Sequence, residues 1–263
     1  DCGAIADFHN HHMVTKTAPE SAALALNNSC DLNCGSMFGN LLIAHKEGFV
    51  SEEAIDEAVT RLMITRMKLG MFDPDEQVPY ASIPYEVVDC KEHNELALET
   101  AKKSIVLLKN DGLLPLSKEK IKSIAVIGPN ADSRQALVGN YEGTASEYVT
   151  VIDGIREAVG DDVKIHYSVG CHLYKDSVQK RGEPDDRIAE AVTCAEISDV
   201  VVLCLGLDST IEGEQMHQNN EYGSGDKYDL NLPGRQQQLM EAVYATGKPV
   251  VLVLLTGSAL SVT

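Results

Sequence analysis

Basic residues are scarce in this sequence: 22 lysines and arginines stand against 40 aspartates and glutamates, for a formal charge of −18. A protein that grips a polyanionic backbone needs the opposite balance, so no nucleic-acid partner is expected. The acidity reads as a solvated, self-repelling surface and points to no function of its own. No apolar run is long enough to cross a bilayer as a helix, so no membrane partner is expected either. CxxC spacing is missing as well. Seven cysteines (Cys2, Cys30, Cys34, Cys90, Cys171, Cys194 and Cys204) form an odd, scattered set, which argues against a zinc site or a dithiol redox centre. Cys194 and Cys204 lie in apolar runs and read as buried thiols. A reducing, cytoplasmic compartment fits this pattern best. Neither GxGxxG nor GxxxxGK[ST] occurs, and in Gly128-Pro129-Asn130-Ala131-Asp132 the proline removes an amide that would cradle phosphate, so a nucleotide loop is not expected there. A GxSxG nucleophile elbow is also absent.

What is present is a chain of 263 residues, 44% of them apolar, enough for one large or two ordinary domains. Asp1-Cys2-Gly3-Ala4-Ile5 leads into a loop with His9, His11 and His12, whose spacing fits no metal pattern. Thr17-Ala18-Pro19-Glu20 reads as a capping box with proline in the first turn, starting an Ala-rich helix to about Asn27. Cys30-Asp31-Leu32 reads as a very short strand and Met37 to Glu47 as a helix stopped by Gly48. Ser51 caps a third helix whose stripe Ile55, Val59, Leu62 and Met63 is core packing and which Gly70 ends. Pro74, Pro79 and Pro84 make residues 73–91 a linker.

Beyond it helices and strands alternate. A helix over about 91–103 leads into an apolar run at Ile105-Val106-Leu107-Leu108 that reads as a strand. Further strands are expected at 124–128, 163–167, 200–205 and 250–255, with helices at 151–159, 185–196 and 233–245. That alternation implies an α/β fold with a mainly parallel sheet covered on both faces. After the strand ending at Leu205 comes Gly206-Leu207-Asp208-Ser209-Thr210-Ile211-Glu212-Gly213-Glu214-Gln215. Two carboxylates, Glu212 and Glu214, therefore sit just past the C-terminal end of a buried strand, where α/β proteins collect working residues.

Among so many acidic residues, composition alone singles out none of them. Several segments, however, resemble glycoside hydrolase family 3. Asp1-Cys2-Gly3-Ala4-Ile5 is similar to its nucleophile motif. Ala25 to Gly35 resembles the final barrel strand, and Ile55 to Asp73 the helix that closes the barrel. Ser104 to Asn110 and Leu113-Leu114-Pro115-Leu116 resemble the entry to its second domain. Ile124 to Asp132, Gly139 to Gly143 and Leu232-Pro233-Gly234-Arg235-Gln236 continue the match in order.

The resemblance implies the C-terminal remnant of a (β/α)8 barrel in residues 1–72, the linker over 73–91, and an α/β sandwich domain over 92–263, truncated at both ends. It implies a retaining, exo-acting hydrolase that releases terminal β-linked xylose or glucose from oligosaccharides or glycosides by a two-carboxylate double displacement, with no metal or organic cofactor. Asp1 would be the nucleophile and Glu214 the acid/base, with Glu212 the second choice. Cys2 would line the sugar pocket. Its presence where β-glucosidases of the family commonly carry Trp points to a xylosidase-like preference, leaving β-glucosidase and α-L-arabinofuranosidase activities open. A disulfide between Cys2 and Cys34 is conceivable, and a homo-oligomer is compatible with the sequence. Because a barrel closes only when all its strands pair, the chain by itself is expected to be inactive. Two rival readings are a non-catalytic carbohydrate-binding or structural α/β module and a flavodoxin-like ligand binder.

Overall fold

The computed structural model describes residues 2–139, 142–213 and 227–262. The chain divides into two compact units, Asp1–Ala97 and Leu98–Thr263.

The first unit is helical. Helix α1 spans Ala4–Asn10, so His9 lies in a helix where a loop was expected. Its ring Nδ1 is 2.9 Å from the Ser21 hydroxyl. Helix α2 covers Ala18–Asn27 and starts as the capping box requires: the Thr17 hydroxyl accepts from the Glu20 N–H. The returning carboxylate of Glu20 accepts from the Lys16 N–H at 2.7 Å, one residue earlier than the cap itself. Residues 30–32 form no strand. Strand geometry is held by hydrogen bonds from a neighbour, and this unit has no strand among its described residues to supply them. The expected helix over 37–47 is divided. A tighter 3-10 turn over Met37–Asn40 precedes helix α3, Leu41–Lys46.

Helix α4, Glu52–Lys68, is capped by Ser51, whose hydroxyl accepts from the Ala54 N–H. It closes on Gly70 at φ +70°. Met71 N–H donates to Arg66 C=O and Gly70 N–H to Met67 C=O, the paired bonds that satisfy the last carbonyls of a helix ending in a left-handed residue. The small core of this unit is Ala23, Leu26, Ala44, Val50 and Ala58. The expected stripe on α4 packs only partly: Ile55 lies against that core, while Val59 and Met63 are exposed. The periodicity marks the apolar face correctly, yet burial needs a partner surface, and this unit covers only the end of the stripe near Ile55. Helix α5, Lys91–Ser104, follows the proline-rich stretch.

In the second unit a four-stranded parallel sheet has the order β2-β1-β3-β4. Its strands are β1 (Ser123–Ile127), β2 (Lys164–Ser168), β3 (Val200–Gly206) and β4 (Val250–Leu255). Every residue of the central strand β3 is buried, as a strand covered on both faces requires. Successive side chains alternate between those faces. Ala125, Ile127, Val201, Leu203 and Leu205 pack against Ile188, Ala191 and Ala195 of helix α7 (Asp186–Glu196) and Leu239 and Val243 of helix α8 (Gln236–Tyr244). Ile124, Val126, Val200, Val202 and Cys204 pack against Ile152 and Ile155 of helix α6 (Val151–Val159). Each large apolar side chain so buried contributes about 1.5–3 kcal/mol.

The run Ile105 to Leu108 makes no strand: each of its four residues is at least 65% exposed. It is apolar enough to be a sheet's inner strand, but no strand among the described residues pairs with it.

Candidate active site

The order β2-β1-β3-β4 places a topological switch point between β1 and β3, since the chain leaves β1 to one side and returns on the other. In open parallel sheets the crevice beyond the strand ends at such a point is the ordinary ligand site. Here the chain's own residues fill it. Gly128, at φ +120°, brings the exit of β1 so close to β3 that a Cβ there would overlap the Cys204 carbonyl. Asn130, 1% exposed, donates through Nδ2 to the Leu207 carbonyl at 3.0 Å. Gln236, fully buried, accepts from the Gly206 N–H at 2.8 Å and donates to the Gly206 and Leu173 carbonyls. These contacts tie the ends of β1 and β3 to the start of α8.

From this point the loop toward the paired glutamates departs. Asp208 Oδ1 accepts from the Thr210 N–H, and the Asp208 carbonyl accepts from the N–H groups of Ile211 and Glu212 at 3.1 and 3.2 Å. These bonds fold residues 208–212 into one tight turn that buries Ile211 and leaves Glu212 half-buried. Ser209 is held from the side by Gln135, whose Nε2 donates to the hydroxyl at 2.7 Å. Glu214 lies outside the described residues, and so does Asp1.

Cys2 is described, and it is joined to Cys34 in a disulfide with the two Cα atoms 4.4 Å apart. The Gly3 N–H donates to the Cys34 carbonyl at 2.7 Å, reinforcing the same junction. A Cβ at Gly35 would lie 3.4 Å from the Gly3 nitrogen, so the two Cys-Gly pairs form a close clasp. The residue after Asp1 is thus tied covalently to the loop that follows α2.

Other sequence candidates go elsewhere. His11 pairs with Asp7 across one helical turn. Among the described residues no group of three His, Cys, Asp or Glu side chains could hold a metal ion. Burial pushes the thiols of Cys171 and Cys204 up to about 12, against a weaker pull from Arg235 in the case of Cys171. Such thiols stay protonated and are structural, not nucleophilic. The residues that sequence reasoning did not pick out as functional are Asn130, Gln135 and Gln236. In the sequence Asn130 and Gln236 leave only their place within the segments Ile124 to Asp132 and Leu232 to Gln236, and Gln135 lies in neither.

Residues 105–263, more than half of the chain, match the glycosyl hydrolase family 3 C-terminal domain. A β-xylosidase of Formosa agariphila is 38% identical over 272 residues, covering 95% of this chain and 34% of that protein. β-D-Xylosidase 3 of Arabidopsis thaliana is 36% identical, covering 100% of this chain and 32% of the relative. Among solved structures, a GH3 exo-β-xylosidase bound to a xylobiose aziridine activity-based probe superposes with a TM-score of 0.83 at 32% identity, over 96% of this chain and 30% of that one. The chain therefore spans about a third of the length of the curated relatives it matches.

Proposed function

The chain belongs to glycoside hydrolase family 3, and from that premise we propose that it is the part of a retaining exo-β-xylosidase that carries both reacting carboxylates. The observation that supports this most is likeness to β-xylosidases along nearly its whole length, at 36–38% identity. The barrel remnant, the linker over 73–91 and the sandwich from 92 onward belong to the same proposal.

In this reading the Asp1 carboxylate attacks the anomeric carbon while Glu214, as a neutral acid, gives its proton to the departing glycosidic oxygen. A covalent xylosyl-enzyme forms. Glu214, now a carboxylate, takes a proton from water, which attacks the same carbon and releases xylose with its configuration retained. The two carboxyl groups need environments that push their pKa values apart, one kept ionised and one kept protonated. Water and two carboxylates balance the reaction, so no cofactor is required.

Cys2, in its bridge to Cys34, would form part of the sugar pocket wall. Cys2 is smaller than the Trp that β-glucosidases of the family commonly carry there, so it would change the shape of that wall, which supports the xylosidase-like preference. The disulfide also supports an oxidising compartment, where such bonds persist, over the reducing one expected from the scattered cysteines.

The test uses the full-length protein and an unactivated substrate such as xylobiose. Glu214→Gln is expected to lower kcat by about 10²–10⁴ while leaving substrate binding in place. Unchanged turnover would move the role to Glu212, and unchanged turnover in Glu212→Gln as well would overturn the hydrolase reading. The 263-residue chain alone is expected to release no xylose from aryl xylosides, and measurable release would refute the need for a completed barrel.

A further inference from the structure

We propose that Gln236 is a positioning residue for proton donation, acting by fixing the direction in which the acid/base loop leaves the sheet; this rests on the acid/base reading above. In a parallel sheet the N–H and C=O of one residue point to one neighbour and those of the next residue to the other. The Leu207 N–H donates to Leu255 of β4, so the Gly206 groups face the β1 side. There β1 has already ended at Ile127, and the chain has turned away at Gly128. Gln236 supplies what the missing strand would have supplied. One side-chain amide accepts from the Gly206 N–H and donates to the Gly206 C=O, both at 2.8 Å.

The same amide nitrogen donates to the Leu173 carbonyl at 2.7 Å. Gly234 presses the turn before α8 onto the neighbouring Tyr174, where a Cβ would sit 2.6 Å from the backbone. The amide therefore has a rigid base. Its effect is extended by two further amides. Asn130 holds the Leu207 carbonyl and Gln135 holds the Ser209 hydroxyl, so positions 206, 207 and 209 are pinned in succession. Helix packing alone needs no such group. Burying a primary amide is costly unless its bonds are made, and an apolar side chain would fill the first turn of α8 at less cost. Gln237 and Gln238, next in the sequence, are not buried. The buried one is the one that grips the loop root.

A positioning role makes a prediction that a purely structural role does not. Loss of the grip should slow reactions that need the proton and spare those that do not. In the full-length protein, Gln236→Leu should lower kcat/KM on xylobiose by about tenfold or more, as expected when a reacting group is displaced by about an ångström. On 2,4-dinitrophenyl β-xyloside, whose leaving group departs unprotonated, the same variant should stay within about threefold. Gln236→Glu, which keeps the acceptor for the Gly206 N–H but sets an oxygen against the Gly206 and Leu173 carbonyls, should show the same dependence on the leaving group as Gln236→Leu. Gln135→Ala should show the same preference more weakly, about threefold. Should Gln236→Leu fail to fold, as judged by circular dichroism, the other two variants decide the question. Equal losses on both substrates, or no loss on either, would overturn the role. If Glu214→Gln and Glu212→Gln measured alongside show no dependence on the leaving group, the acid/base reading fails and the positioning role falls with it. If a glutamate variant shows that dependence and the glutamine variants do not, only the positioning role is refuted.

Discussion

Two thiols report directly on whether the sheet is buried as described. Cys204 is fully buried on β3, and Cys171 is 3% exposed in the loop after β2. Desolvation opposes their ionisation and raises each from an ordinary 9.0 to about 12. At pH 8 a thiol at 9.0 is ionised about one time in ten, and one at 12 about one time in ten thousand, so alkylation through the thiolate slows by about 10³ before access is considered. Iodoacetamide at pH 8, read by peptide mass mapping, should therefore label half-buried Cys30 and Cys90 first and spare Cys171 and Cys204 until denaturant is added. The sign of the linked stability follows from the same shift. The fold holds a proton that the unfolded chain gives up from about pH 9, so nothing is lost below that pH and stability falls between about 9 and 12. Three pKa steps correspond to about 4 kcal/mol for each thiol by the top of that window. Urea unfolding across it should show a shallower loss in Cys204→Val than in the parent. Native labelling of Cys204 as fast as Cys30, or an unaltered alkaline slope in Cys204→Val, would refute the account of the central strand.

Glycine substitutions separate close approach from backbone conformation. A Cβ on Gly206, at φ +137°, would overlap the Leu255 carbonyl oxygen, while Gly48, at φ +78°, has open space around its missing side chain. Gly206→Ala should destabilise by about 3 kcal/mol or more and Gly48→Ala by about 1, read from urea midpoints, and equal effects would mean that β3 and β4 do not meet as described. Ser51→Ala removes the acceptor for the Ala54 N–H and should cost about 1 kcal/mol of the first unit's stability, measured by helical circular dichroism on heating.

The parallel sheet was legible because its signals are local and repeated. The runs that became β1, β3 and β4 are short, apolar and rich in β-branched residues, and the helices between the strands start and stop on recognisable residues. Ile105–Leu108 carries the same signal, and Cys30–Leu32 a much weaker one, yet neither forms a strand. Hydrophobicity says that a segment would fit inside a sheet, and says nothing about whether a neighbouring strand is available to bond it. The same gap explains the site. Gln236 stands in a run of three glutamines that composition cannot distinguish, and its partner Gly206 is 30 residues away. The bond from Asn130 to Leu207 spans 77 residues. Pairings at such separations follow from topology and leave no periodicity in the chain. The loop after Leu205 could be named from its position, but not what holds it.

The bond between Cys2 and Cys34 couples the histories of two positions as well as their coordinates. A single change at either one leaves its former partner as a lone thiol beside the motif that begins at Asp1. An intermediate of that kind loses the tether and gains a reactive group together, so each step toward a bulky aromatic at position 2 passes through a poorer protein. Under the proposal that Cys2 lines the sugar pocket, drift in sugar preference there is a two-site event, slow to start and hard to reverse. Libraries meant to change residue 2 should vary positions 2 and 34 jointly, because scanning them separately samples only the low ground between two workable solutions.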